Sequence, residues 1–146
     1  MPPSPQWCTV EFRARYSETD QMGIIYHPNY LTWCEMGRTE LIRQLWKPYS
    51  QVERDGVLLA VTDATLRYQA SARYEDLIRV TTTLEQVRSR AVSFTYLVER
   101  VEDDGTTTRL CTARTGLTAI DRSGAPRKLP TDVLEAFRRA AAPEPV

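Results

Sequence analysis

The chain has 146 residues, 42% of them hydrophobic and 26% charged, and its 19 basic and 19 acidic side chains cancel to a formal net charge of zero. That size and composition suit one globular domain with a core of its own and exclude a fibre or a disordered tail. Zero net charge excludes an overall electrostatic drive toward nucleic acid or an anionic membrane, so an anionic ligand has to be met by a local cluster of cations.

The ends come first and last in the chain and carry many prolines; residues 1–5 and 141–146 are expected to be flexible around a single domain spanning 6–140. Met1-Pro2-Pro3-Ser4-Pro5 holds no basic segment followed by an apolar one, and no stretch approaches the roughly 20 apolar residues of a membrane span, so neither secretion nor membrane insertion is expected. Cys8, Cys34 and Cys111 lie far apart in no metal-ligand spacing and read as reduced thiols of a cytoplasmic protein.

Cys8, Val10, Phe12, Ala14 and Tyr16 alternate with polar residues, the period of a strand with one wet face. An acid, Asp20, a turn glycine, Gly23, and the only histidine, His27, follow. Pro28 suits the first turn of a helix, where its missing N–H is harmless, with His27 near the cap. That helix is expected to run to about Trp46, because Tyr30, Trp33, Cys34, Gly37, Leu41 and Leu45 form one apolar stripe. Gly37 in mid-helix costs about 1 kcal/mol against alanine, which implies a neighbour too close for a side chain.

Beyond Pro48 and the Asp55-Gly56 turn the pattern is extended throughout. Ala60, Thr62, Ala64, Leu66 and Tyr68 are assigned to one face of a second strand; Ile78, Val80, Thr82 and Leu84 mark a third; Val92, Phe94, Tyr96 and Val98 mark a fourth. Asp103-Asp104-Gly105 turns into a fifth strand bearing Cys111, Ala113, Thr115, Leu117 and Ala119, and Thr131 opens a short C-terminal helix with Val133, Leu134 and Phe137. The expected class is α+β, a five-stranded antiparallel sheet covered by one long helix. One helix covers five strands only if the sheet curls around it, and the edge strand left over calls for a second copy of the chain.

Asp20 beside a helix start is a chemical as well as a structural arrangement. A carboxylate serves as base or nucleophile, and the free N–H groups of a helix N-terminus receive the charge that develops on a carbonyl oxygen. Asp and Gly are equally ordinary turn formers. No serine sits in a nucleophile elbow, so a Ser-His-Asp hydrolase is not indicated.

The runs Tyr16-Ser17-Glu18-Thr19-Asp20 and Gly23-Ile24-Ile25-Tyr26-His27-Pro28-Asn29-Tyr30, with Glu35, Arg38, Thr39 and Glu40 after them, resemble the 4-hydroxybenzoyl-CoA thioesterase family of the hotdog fold. Weaker matches follow in Tyr68, Ala72 to Val80, Asp121 with Gly124, and Lys128-Leu129-Pro130; Ser71 and Glu75 depart from the family pattern in the turn before the third strand. The resemblance implies a curved sheet wrapped around the long helix and hydrolysis of an acyl-CoA thioester without metal or redox cofactor, the coenzyme A being part of the substrate. It also implies a homodimer that assembles into a dimer of dimers.

On that footing Asp20 and His27 are the expected catalytic residues, Asp20 as base or nucleophile and His27 by orientation or backbone donation. Gly23, Tyr26 and His27 frame the oxyanion site, and Asn29, Tyr30 and Glu35 are candidate substrate contacts, while spacing alone places Glu35, Arg38 and Glu40 for ion pairs on the helix surface, Glu35 and Arg38 being three apart. Arg88 and Arg90 are candidate contacts to the CoA phosphates, a role that guanidinium groups suit. The side chains of Trp33, Leu59 and Tyr68 are expected to set pocket depth. Two other readings use the same residues: an acyl-thioester hydratase or dehydratase with His27 as base and Asp20 as its helper, and a non-catalytic acyl-thioester binding module in which Asp20 only caps the turn.

Overall fold

A computed structural model describes residues 6–46 and 49–141, so the stretches 1–5 and 142–146 lie outside the described residues, while Ala141 closes the last helix. In chain order the elements are β1 (Trp7–Arg13), α1 (Asn29–Leu45), α2 (Tyr49–Arg54), β2 (Leu58–Tyr68), β3 (Leu77–Val87), β4 (Ala91–Val101), β5 (Thr107–Ile120) and α3 (Thr131–Ala141). The strands form one antiparallel sheet in the order β1-β3-β4-β5-β2. Its inner face carries Ile78, Val80 and Leu84, then Val92, Phe94 and Val98, all buried. Against them α1 presents Tyr30, Trp33, Cys34, Gly37, Leu41 and Leu45, the stripe read from the sequence. This is the hotdog arrangement, a curled sheet around one long helix.

Gly37 has the close neighbour that its position implies. A Cβ there would fall on the Thr82 hydroxyl and lie 3.1 Å from Val80 Cγ1, so the helix backbone rests directly on β3. Cys8 of β1 adds a long Sγ contact of 3.8 Å to the Gly37 carbonyl.

Four expectations change. β1 stops at Arg13, and Tyr16 opens a 3-10 turn, Tyr16–Glu18, with 76% of its surface exposed; it is not an inward strand position. α2 occupies six residues that showed no helical pattern, held by the buried Val52. In β2 a bulge between Val61 and Asp63 shifts the register against β5, so the run Ala60 to Tyr68 does not keep one face. Leu59 and Val61 line a cavity against α1 before the bulge; after it Leu66 packs against the core and the half-exposed Tyr68 meets the Tyr30 ring at 5.4 Å. Finally, no Glu35–Arg38 ion pair is found among the described residues; Arg38 donates to the Tyr96 hydroxyl at 3.1 Å, and Glu40 pairs with Arg43.

Candidate active site

Between β1 and α1 the chain makes a tight hairpin whose arms are residues 18–20 and 24–26. Asp20 N–H donates to the Ile24 carbonyl at 2.8 Å, Thr19 and Ile25 bridge, and Tyr26 N–H donates to the Glu18 carbonyl at 2.8 Å. The half-buried Asp20 shapes the turn itself: its Oδ1 accepts the N–H of Met22 at 2.8 Å and of Ile24 at 3.4 Å. Oδ2 has no hydrogen-bond partner among the described residues. Gly23 closes the turn with φ +81°, in the left-handed region that glycine enters freely. Open space surrounds it, so backbone conformation rather than crowding selects the glycine.

The far arm runs straight into α1, and its amides can be taken one by one. Ile25 N–H goes to the Ala72 carbonyl, Tyr26 to Glu18, Asn29 to Tyr26, Tyr30 to His27 and Leu31 to Pro28. Pro28 has none to give. His27 is left as the amide without a partner among the described residues at the entry to the helix. Of the three residues named from the sequence for the oxyanion site, Gly23 and Tyr26 already give their N–H groups to the Asp20 and Glu18 carbonyls, which leaves His27 as the candidate donor. The His27 carbonyl is anchored in turn, by Tyr30 N–H and by the Tyr68 hydroxyl, both at 3.2 Å. Its exposed ring lies edge-on to Tyr26 and Tyr68, at 5.2 and 6.0 Å, and no hydrogen bond joins it to Asp20.

Glu18, absent from the sequence-based site, lies beneath the hairpin at 5% exposure. Its Oε2 accepts the indole N–H of Trp33 at 2.7 Å and its Oε1 accepts Arg15 N–H at 2.8 Å, with the Arg15 guanidinium at 3.4 Å. Burial pushes the carboxyl up, but the bonds from the Arg15 amide, Trp33 and the Arg15 side chain outweigh it and leave it below the ordinary carboxylate range. No periodic pattern points to a residue whose partner is an indole fifteen positions away.

The remaining candidates divide. Asn29 gives its Nδ2 to the Glu18 carbonyl at 2.9 Å, so it braces the loop. Tyr30 is 2% exposed and its hydroxyl accepts Ala72 N–H at 3.0 Å, which makes it a core anchor instead of a pocket wall. Trp33 is fully buried. Glu35 is exposed and lines a cavity of about 320 Å³ between α1 and β2, with Arg38, Thr39, Ile42, Leu59 and Val61.

Arg88 and Arg90 are exposed at the β3–β4 turn. The other end of β3 is the one bonded to Ala14 beside the hairpin, and its 11 residues at about 3.3 Å each span roughly 35 Å. Within one chain these arginines do not reach Asp20. Among the described residues no cluster of His, Cys, Asp and Glu could hold a metal, and no helix is long and apolar enough to cross a membrane. Burial, reinforced by Cys111, pushes the Cys34 thiol up to about 12, so it stays protonated at neutral pH and is no nucleophile.

Residues 14–137 match the model of a family described as the thioesterase-like superfamily. Among curated relatives, the putative acyl-CoA thioesterase YneP of Bacillus subtilis is 43% identical over 86 residues, 59% of this chain and 62% of that protein. The acyl-CoA thioester hydrolase YbgC of Escherichia coli is 27% identical over 128 residues, covering 87% of this chain and 92% of the relative. Among solved structures, a DHNA-CoA thioesterase from Staphylococcus aureus superposes with a TM-score of 0.82 at 32% identity, covering 90% of this chain and 88% of that one.

Proposed function

The chain belongs to the thioesterase-like superfamily, and we propose that it hydrolyses acyl-CoA thioesters at the Asp20 hairpin. Water adds to the thioester carbonyl, the C–S bond breaks, and the products are a carboxylic acid and the free thiol of coenzyme A. The negative charge passes through the carbonyl oxygen, and the unpartnered His27 N–H at the entry to α1 receives it. That amide is the observation on which the reading rests, since every neighbouring donor is already engaged. The positive end of the α1 dipole adds to it, and a donor of this kind is worth about 10²- to 10³-fold in rate. Asp20 sits on the opposite arm with Oδ1 held by two amides and Oδ2 available, either to attack the carbonyl or to take a proton from water and pass it to the leaving sulfur.

The pantetheine and acyl arms lie along α1, where Glu35 borders the cavity against β2. β2 is an 11-residue edge strand with Val61 and Tyr68 about half exposed, which supports pairing with a second copy and a homodimer that doubles again. Arg88 and Arg90 then meet the CoA phosphates of a site in another copy, since their own is out of reach. No metal or cofactor takes part, and the protein works in the cytoplasm.

The test is release of free thiol from a panel of aliphatic and aromatic acyl-CoAs. Asp20→Asn is expected to lower kcat by about 10²-fold or more, and an undamaged rate would sink the role of Asp20. His27→Ala keeps the backbone N–H and is expected to keep most of the rate; a hydratase with His27 as base would instead lose water addition to an enoyl thioester. Binding without turnover of any thioester would leave the protein a binding module.

A further inference from the structure

Five donors converge on Glu18: Arg15 N–H, the Arg15 guanidinium and the Trp33 indole on its carboxylate, Tyr26 N–H and Asn29 Nδ2 on its carbonyl. The carboxylate is removed from solvent and cannot touch a substrate in this arrangement. Trp33 is itself immobilised, fully buried on α1 with Phe12 and Tyr30 edge-on at 5.3 and 5.0 Å. Burying a charge is expensive, and an apolar side chain of similar volume would serve stability as well or better. What the carboxylate supplies is a fixed distance, one residue tied at once to the helix core and to both arms of the hairpin.

We infer that Glu18 is a positioning residue for the hydrolysis, its bond to Trp33 setting Asp20 and the His27 amide against each other. The inference rests on the thioesterase reading above. Asp20 lies two residues beyond Glu18 on the same arm, and the peptide that precedes the His27 amide hangs from the Glu18 carbonyl through Tyr26. Movement of Glu18 therefore displaces the carboxylate and the oxyanion donor together, and about 1 Å of misplacement can change a rate 10²-fold.

Glu18→Gln keeps the size and removes the match. The amide oxygen can still accept from Arg15 N–H, but the amide nitrogen then opposes the Trp33 indole N–H across what was a 2.7 Å bond. Two donors repel, and the hairpin shifts. The expected result is a kcat at least tenfold below wild type, with KM within twofold, in a protein that melts cooperatively. Adding Trp33→Phe removes the opposed donor; the double variant is expected to regain several-fold in kcat while losing further stability, a rescue that a merely structural role would not produce.

A folded Glu18→Gln protein with wild-type kcat overturns the inference, as does a double variant that only declines. Should Glu18→Gln not fold, Trp33→Phe alone decides: kcat lowered several-fold at unchanged KM supports positioning, and wild-type kcat overturns it. Asp20→Asn run alongside separates the two levels. If it abolishes turnover while Glu18→Gln keeps the wild-type kcat, only the positioning role falls; if it leaves turnover intact, the role of Asp20 falls.

Discussion

Replacing Gly37 by alanine measures how tightly α1 lies on the sheet. In an isolated helix the change gains about 1 kcal/mol. Here the new methyl falls on the Thr82 hydroxyl and 3.1 Å from Val80 Cγ1, and both side chains are fully buried on β3. Either α1 lifts or Thr82 leaves its rotamer in a packed core, and overpacking of this kind costs about 1–3 kcal/mol. Taking the middle of that range and subtracting the helix gain, Gly37→Ala should destabilise by about 1 kcal/mol.

In a Thr82→Ala background only the 3.1 Å approach to Val80 Cγ1 is left, so the same substitution should stabilise by up to about 1 kcal/mol. The Thr82 hydroxyl has no hydrogen-bond partner among the described residues, so removing it breaks none of their bonds and keeps the cycle clean. The expected coupling is about 2 kcal/mol, read from urea midpoints at unchanged slope and one fixed protomer concentration. Additivity within about 0.5 kcal/mol, with alanine stabilising in both backgrounds, would refute the close approach.

Tyr30→Phe leaves the Ala72 amide without its acceptor in the interior and should cost about 1–3 kcal/mol by the same urea assay; a variant as stable as wild type would show that the bond contributes nothing. The Glu18 carboxyl is held below its ordinary 4.5, so the stability it contributes is complete above that pH and is lost as pH falls through the lowered folded value. Glu18→Gln should accordingly flatten the stability curve on the acid side of about 4.5, and an unchanged slope there would contradict the assignment. Cys34, buried and pushed up to about 12, should resist iodoacetamide at pH 8 in the native protein and react once unfolded, as followed by mass spectrometry; prompt native labelling of Cys34 would show that the helix face opens.

The parts of the fold that were legible are those where periodicity and burial coincide. Val92, Phe94, Tyr96 and Val98 alternate on a central strand, and Tyr30 to Leu45 recur on one face of a helix, so the pattern and the packing carry the same information. Gly37 was legible because a glycine in mid-helix is unfavourable unless something needs the space. The bulge in β2 was not, since one extra residue exchanges the faces without altering composition. α2 is six residues long, too short to announce itself by periodicity and dependent on packing.

At the site, Asp20, Gly23 and His27 stood out as an acid, a turn and a helix start. Which amide remains unpartnered depends on the register of a hairpin, and Glu18 depends on an indole four helical positions past Asn29; neither is a property of a short window.

The bonds that shape the Asp20 hairpin from within, up to Glu18–Trp33, join residues no more than 15 apart, whereas those that clamp it to the rest of the molecule, Tyr68 to His27 and Tyr30 to Ala72, reach across 41 and 42. Loop closure favours short separations, and long-range strand pairing is the slow part of folding for such topologies. The hairpin thus acquires its shape from local closures on one clock and its clamps from the docking of β2 and the turn after it on another, so refolding protein should bury Trp33 before it regains turnover.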